Sequence, residues 1–230
     1  MKIGIIIPCR LDSVRLPGKV LMPVQGKALL WYLTARCKQV DLPGDHIFVA
    51  STDRTIDEPI ERFCHTEGIT LFRGAVEDVA GRMLACANEA GLDYFIRANA
   101  DSPFLEPALI NKACQLVTRH GYQFVTNLYP RSFPYGVSVE LVQTSTFQNA
   151  YQQMHKPAHF EHVTQYLYEN IAQFDYHNIT HDGPDLSRLR LTVDTEADFR
   201  RFEGILGQLN YHKWPVLSFL DAAKIYQELV

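Results

Sequence analysis

The chain has 230 residues, 47% hydrophobic and 21% charged, which suits a globular protein of one large α/β domain or two small ones, with a substantial core at either count. Its net charge of −4 leaves no basic excess for tracking nucleic-acid phosphates, and no apolar run approaches the ~20 residues that span a bilayer. Cys9, Cys37, Cys64, Cys86 and Cys114 are scattered and form no Cys-x-x-Cys pair, which argues against a disulfide framework or structural zinc and for a reducing compartment.

The N-terminus runs straight into a strand, with no basic stretch and cleavage site before it, so a cytoplasmic protein without a signal peptide is expected. From Ile3 the run is apolar and β-branched, the composition of a buried parallel strand. It breaks at Pro8 into a loop carrying Arg10, Arg15 and Lys19, with Asp12 and Ser13 between them and Pro17-Gly18 bending the chain. Cations leaving the carboxyl end of a first strand stand where open α/β sheets bind ligands. They repel one another unless a polyanion such as a nucleoside triphosphate occupies the loop. A solvated basic loop is the competing reading.

Leu29, Leu30, Leu33 and Cys37 recur at helical spacing within a helix expected from Gly26 to Val40. His46 to Ser51 reads as a second strand, Asp57 to Glu67 as a helix, and Ile69 to Phe72 as a third strand. Glu77 to Ala90 is a helix closed by Gly91, Asp93 to Arg97 a fourth strand, Pro107 to His120 a helix, and Gln123 to Thr126 a fifth strand. This alternation predicts an α/β fold, a Rossmann-like mostly parallel sheet with helices on both faces. Its strand ends bring Arg10, Ser51, Asp53, Arg73, Arg97 and Asp101 to one edge.

From Leu128 the rhythm changes to an aromatic, turn-rich stretch, then a strand at Val137 to Val142. Helices at Thr144 to Met154 and Phe160 to Asn170, strands at Phe174 to Ile179 and Leu189 to Val193, and helices at Glu196 to Leu209 and Ser218 to Leu229 follow. No repeat or low-complexity linker interrupts the chain. It reads as a single domain, residues 1–230, with an excursion at 128–187 expected to carry the acceptor site or a homodimer arm. His159 and His162, three apart, lack a third ligand at zinc spacing, so a surface helix is favoured over zinc.

The string Pro-Cys-Arg-Leu-Asp-Ser-Val-Arg-Leu-Pro-Gly-Lys-Val-Leu, residues 8–21, resembles the signature loop of the sugar cytidylyltransferases. It is closest to the branch named after a spore coat polysaccharide biosynthesis protein, similar to the acylneuraminate and 3-deoxy-manno-octulosonate cytidylyltransferases. Such enzymes join an acidic sugar to the CMP portion of CTP, for cell-surface polysaccharide. The resemblance spans roughly residues 3 to 200. It implies that Lys19 and Arg10 hold the triphosphate as catalytic cations, with Ser13 donating to phosphate and Arg15 more peripheral. Arg15 is equally placed to pair with Asp12.

Asp101, in Ala-Asp-Ser-Pro, and Asp194, in Leu-Thr-Val-Asp, match contexts in which family members carry a metal-binding aspartate. Magnesium suits such a pair, since it takes one or two carboxylates and completes its shell with phosphates and water. Asp194 also reads as a helix N-cap. Ser51-Thr-Asp53 resembles the stretch near the nucleotide base, and Arg73-Gly with Glu-Asp78-Val resembles a string of the spore coat branch, which assigns Ser51, Asp53, Arg73 and Asp78 to the nucleotide. Helix capping is an equal claim on Asp53 and Asp78. Arg97, Asn99, Glu140 and His162 are the candidate acceptor contacts, with structural ion pairing the alternative for Arg97 and Glu140. The expected partners are therefore CTP and a sugar acceptor, with Mg2+ as cofactor. A glycosyltransferase consuming a nucleotide sugar and a degenerate nucleotide-binding module are the rival readings.

Overall fold

Alternation along the apolar runs decides the architecture, described here from a computed structural model covering residues 1–209, 214 and 217–229. The main-sheet strands are β1 (Ile3–Pro8), β4 (Ile47–Thr52), β5 (Thr70–Gly74), β6 (Tyr94–Arg97), β7 (Phe124–Thr126), β8 (Glu140–Gln143) and β9 (Tyr176–Asn178). Their order is β5-β4-β1-β6-β8-β7-β9. Only β8 runs against the others, pairing antiparallel with both β6 and β7. The fold is thus the mostly parallel α/β sheet that the sequence predicts.

Odd and even strand positions feed different cores. Ile5 and Ile7 of β1 join one cluster with Val49, Ile96 and Leu141, while Ile6 joins the other with Phe48, Phe95 and Val142. The first face is covered by α1 (Leu29–Cys37), α2 (Glu58–Glu67), α4 (Pro107–His120), α8 (Glu196–Gln208) and α9 (Phe219–Leu229). The second is covered by α3 (Val79–Glu89), α5 (Thr144–Tyr151) and α7 (Gln165–Glu169). Among the described residues, no helix is long and apolar enough to cross a membrane.

Four expectations need correction. The expected helix from Gly26 begins only at Leu29, because Gln25 and Gly26 have positive φ and turn a small hairpin between β2 (Pro23–Val24) and β3 (Lys27–Ala28). The expected helix Phe160–Asn170 breaks at His162, φ −101° and ψ 73°, which separates α6 (Pro157–Glu161) from α7. The strand expected at Val137 begins only at Glu140. Leu189 to Val193 is extended but does not join the sheet; it bonds instead to Tyr135 and Asp101. Residues 128–187 supply β8 and β9, so this segment widens the sheet.

Candidate active site

Lys19 is the centre of the site. Gly18, at φ +72°, donates its N–H to Leu11 O at 2.7 Å, and the turn aims Lys19 inward, 8% exposed. Its ammonium lies 2.8 Å from Asp101 Oδ2, 3.0 Å from Asp194 Oδ1 and 2.9 Å from the Val193 carbonyl. Asp101 leaves the end of β6, and its carbonyl accepts the Val193 N–H at 2.9 Å, which brings Asp194 alongside. Asp194 does not cap α8. Thr195 does, in a capping box with Asp198, so the Asp194 carboxylate is left for cations.

Arg15 reaches the same carboxylate at 2.7 Å, and Arg190 approaches it at 3.6 Å. Burial pushes the Asp194 carboxyl up, but Lys19 and Arg15 outweigh it and hold it below the usual range. Among the described residues no group of three or more His, Cys, Asp and Glu side chains is arranged to hold a metal by itself. Two carboxylates sharing one cation nevertheless fit magnesium, which draws its remaining oxygen ligands from substrate phosphates and water. Cys9 offers no nucleophile, since it is buried and that burial pushes its thiol far up.

A second network fixes the start of the loop, and its key members were not singled out in the sequence. Asp57, 2% exposed, accepts the Leu11 N–H at 2.7 Å, the Thr52 hydroxyl, and Arg54 at 3.1 Å. Arg54 also binds Asp12 at 2.6 Å, and Arg10 pairs with Asp12 at 3.3 Å. Arg73 is bound to the Thr52 and Arg54 carbonyls, at 2.9 and 3.0 Å, and to Glu61. Asp53 is exposed, and its carboxylate caps no helix. Ser51 is buried, with its hydroxyl unpartnered. Ser13 is half-buried in the loop.

Asp78 caps α3, accepting from Gly81 N–H at 2.7 Å and from the Tyr151 hydroxyl. With Arg10, Glu77, His155, Phe160 and Glu161 it lines a cavity of about 460 Å3. A cavity of about 390 Å3 beside Met1, Ile3 and Asn111 lies at the opposite end of β1, away from these groups.

The acceptor candidates divide. Glu140, 1% exposed, is fully engaged: Arg97 donates at 2.7 Å, Thr164 at 2.6 Å and Tyr168 at 2.9 Å. Arg97, Glu140 and the exposed His162 line an open cavity of about 500 Å3 with Leu128, Gln165 and Glu169. Asn99 is half-buried near Asp101, and its carbonyl accepts the Ser102 N–H. Thr164 and Tyr168 follow the break at His162, a break hidden by the helical spacing of their neighbours.

Comparison with known proteins agrees with this geometry. Residues 4–214 match the cytidylyltransferase family. The chain is 28% identical over 207 residues, 87% of it and 84% of the relative, to spore coat polysaccharide biosynthesis protein SpsF of Bacillus subtilis strain 168. A solved cytidylyltransferase from Leptospira borgpetersenii aligns with all of this chain and 95% of its own, with TM-score 0.93 and 26% identity. CMP:2-keto-3-deoxy-manno-octonic acid synthetase, solved in complex with CTP, shares the fold at TM-score 0.67 and 19% identity, over 90% of this chain and 99% of that one. Signature loop, sheet order and family match agree, and the chain belongs to the cytidylyltransferase family, in its SpsF-like branch, as a nucleotidyltransferase.

Proposed function

We propose that this enzyme transfers CMP from CTP to a sugar bearing an acidic group, releases pyrophosphate, and uses magnesium held by Asp101 and Asp194. The observation that carries this reading is the single buried ammonium of Lys19 shared by those two carboxylates at the carboxyl edge of the sheet. Bound magnesium supplies Lewis-acid stabilisation of phosphate charge. Lys19 and Arg10, on the loop after β1, bind the triphosphate and neutralise charge that grows on the departing pyrophosphate. The Asp57–Arg54–Asp12 network keeps that loop in place while the triphosphate binds. The acceptor enters the cavity beside Arg97, where Glu140 orients the guanidinium. Its hydroxyl attacks the α-phosphorus in line, with no covalent enzyme intermediate. The relative named for spore coat polysaccharide biosynthesis extends the reading to polysaccharide or glycan biosynthesis.

A pyrophosphate-release assay across the four nucleoside triphosphates and a panel of 2-keto acid sugars, with and without magnesium, tests it. Release is expected with CTP, an acidic sugar and magnesium together. Release indifferent to CTP overturns the reading, and consumption of a ready-made nucleotide sugar supports a glycosyltransferase.

A further inference from the structure

Arg82, on the first turn of α3, is a buried cation with no assigned task. It is 3% exposed, and among the described residues its hydrogen-bond acceptors are all carbonyls. Nε donates to Ala50 O of β4 at 3.2 Å, while Nη1 donates to Ala75 O and, at 3.3 Å, to Val76 O. The rigid guanidinium fork thus spans two segments at once, whereas a lysine offers its donors from one atom. Gly74 leaves room for the stem, since a Cβ there would lie 3.2 Å from Arg82 Cγ and 3.1 Å from Phe72 Cε1. Burial lowers the Arg82 pKa and Arg10 lowers it further, against the pull of Asp57, Cys9 and Asp78. A buried guanidinium beside another cation is costly, and an apolar side chain would fill the space without that cost. What the arginine adds is the orientation of the loop it holds.

That loop, between β5 and α3, is fixed at three points. Asp53 N–H donates to Gly74 O at 3.2 Å, the Asp78 carboxylate caps α3, and Arg82 takes the two carbonyls between. Both carbonyls meet one nitrogen, so both peptide planes are turned the same way. A trans peptide sets its N–H opposite its carbonyl, and the N–H groups of Val76 and Glu77 therefore point away from Arg82. Neither donates to a protein acceptor among the described residues. Glu77 and Asp78 line the cavity of about 460 Å3 that Arg10 also borders, with Val79, Pro157 and Phe160 as its apolar wall.

Position decides what these donors meet. The sheet runs β5-β4-β1, so the loop stands two strand spacings, about 10 Å, from the signature loop after β1. A nucleotide whose triphosphate lies on Arg10 and Lys19 reaches that far with its base, not with its phosphates. Cytosine offers acceptors side by side at O2 and N3, whereas uracil carries a hydrogen at N3.

We propose that Arg82 is a positioning residue for the choice of base: it turns the Val76 and Glu77 N–H groups toward O2 and N3 of cytosine, and so sets a preference for CTP over UTP. This rests on the CTP reading above.

Wild type, Arg82→Lys and Arg82→Met are compared in calorimetric titrations with CTP, UTP and inorganic tripolyphosphate, magnesium being absent. Wild type is expected to bind CTP about tenfold or more tightly than UTP. Arg82→Met is expected to lose about tenfold in CTP affinity, the effect of about one hydrogen bond, and to bind CTP and UTP nearly alike. Its affinity for tripolyphosphate should stay within about threefold of wild type. Arg82→Lys keeps the charge, so a fall in its CTP-to-UTP ratio isolates the hydrogen-bonded geometry. Should Arg82→Met fail to fold, as judged by urea denaturation, Arg82→Lys carries the comparison.

The proposal is overturned if the variants keep the wild-type ratio, whatever their stability, since Arg82 would then serve the fold alone. It is equally overturned if tripolyphosphate weakens as much as CTP, which would put the loop donors on phosphate. A wild type that binds tripolyphosphate yet shows no preference for CTP defeats the CTP reading itself, and the role of Arg82 with it.

Discussion

Lys19 and Asp101 lie 82 residues apart in the chain, yet the ammonium and carboxylate meet at 2.8 Å, with Asp194 on the same ammonium at 3.0 Å. The Lys19 side chain is only 9% exposed, so this is a desolvated cluster and not a surface pair. Removing the ammonium leaves two carboxylates facing each other. Lys19→Met is expected to reduce turnover by two or more orders of magnitude. Stability should fall by about 1–3 kcal/mol, less than for a wholly buried pair because Arg15 remains and Asp101 is a quarter exposed. Pyrophosphate release and urea denaturation measure the two effects. Near-normal turnover would move the catalytic centre elsewhere.

On the proposed assignment of a metal to Asp101 and Asp194, Lys19 and the divalent cation compete for the same carboxylates. Lys19→Met is therefore expected to bind Mn2+ more tightly than wild type when nucleotide is absent, by about tenfold, as judged by one removed competing charge. Titration followed by electron paramagnetic resonance reads this without any turnover. Equal affinities in the two proteins would show that the ion binds other ligands.

Acid should erode part of the stability in a defined direction. Burial raises the Asp194 pKa, but Lys19 and Arg15 bring it below the ordinary 3.8, so folding favours the ionised form. That contribution is complete above the ordinary value and fades as pH falls through the depressed folded one. The stability gap between wild type and Asp194→Asn should be widest near neutrality and narrow below about pH 3.8. Denaturant midpoints across that range give the answer. A gap independent of pH would assign the effect of the substitution to packing.

Glu140 accepts from Arg97, Thr164 and Tyr168, which leaves it little capacity for a sugar hydroxyl. Its work is to hold Arg97 in place. Glu140→Gln turns an amide N–H toward these donors and removes the charge opposite Arg97. A loss of about 2–4 kcal/mol of stability is expected from the buried, mispaired groups. The acceptor KM should rise far more than the CTP KM. Steady-state kinetics with both substrates varied separates that outcome from a general loss of activity.

Local patterns carried much of this architecture. The β-branched run at Ile3 and the helix Pro107–His120 depend on neighbours within a few positions, whereas the cap of α8 reads one residue early, at Asp194 in place of Thr195. The loop cations and Asp101 were legible because they follow strand ends. What stayed hidden depends on distant contacts. The extended segment before Asp194 has a strand's composition but finds Tyr135 and Asp101 as partners, not a sheet neighbour. The break at His162 sits inside helical spacing, and it is tertiary contact with Glu140 that engages Thr164 and Tyr168. Arg82 carried no motif at all; only the carbonyls of two segments meeting on its guanidinium reveal it.

Asp57 looks like an ordinary helix start, yet its side chain caps no helix. Its carboxylate instead holds the Leu11 N–H at 2.7 Å, the Thr52 hydroxyl and Arg54, and so ties the first turn of the signature loop to the end of β4. Asp57→Asn preserves size but places an N–H among donors, and a buried unsatisfied donor costs about 1–3 kcal/mol. The loop's second half is fixed separately, by the Gly18–Leu11 turn and by Lys19. Loosening only the first half should displace Arg10 while leaving the Lys19 centre assembled. The CTP KM of Asp57→Asn is therefore expected to rise about tenfold, equivalent to about 1.4 kcal/mol, with a smaller change in kcat. An unchanged CTP KM alongside reduced stability would mean that the Gly18 turn alone orders the loop, and that Asp57 serves the fold rather than the nucleotide.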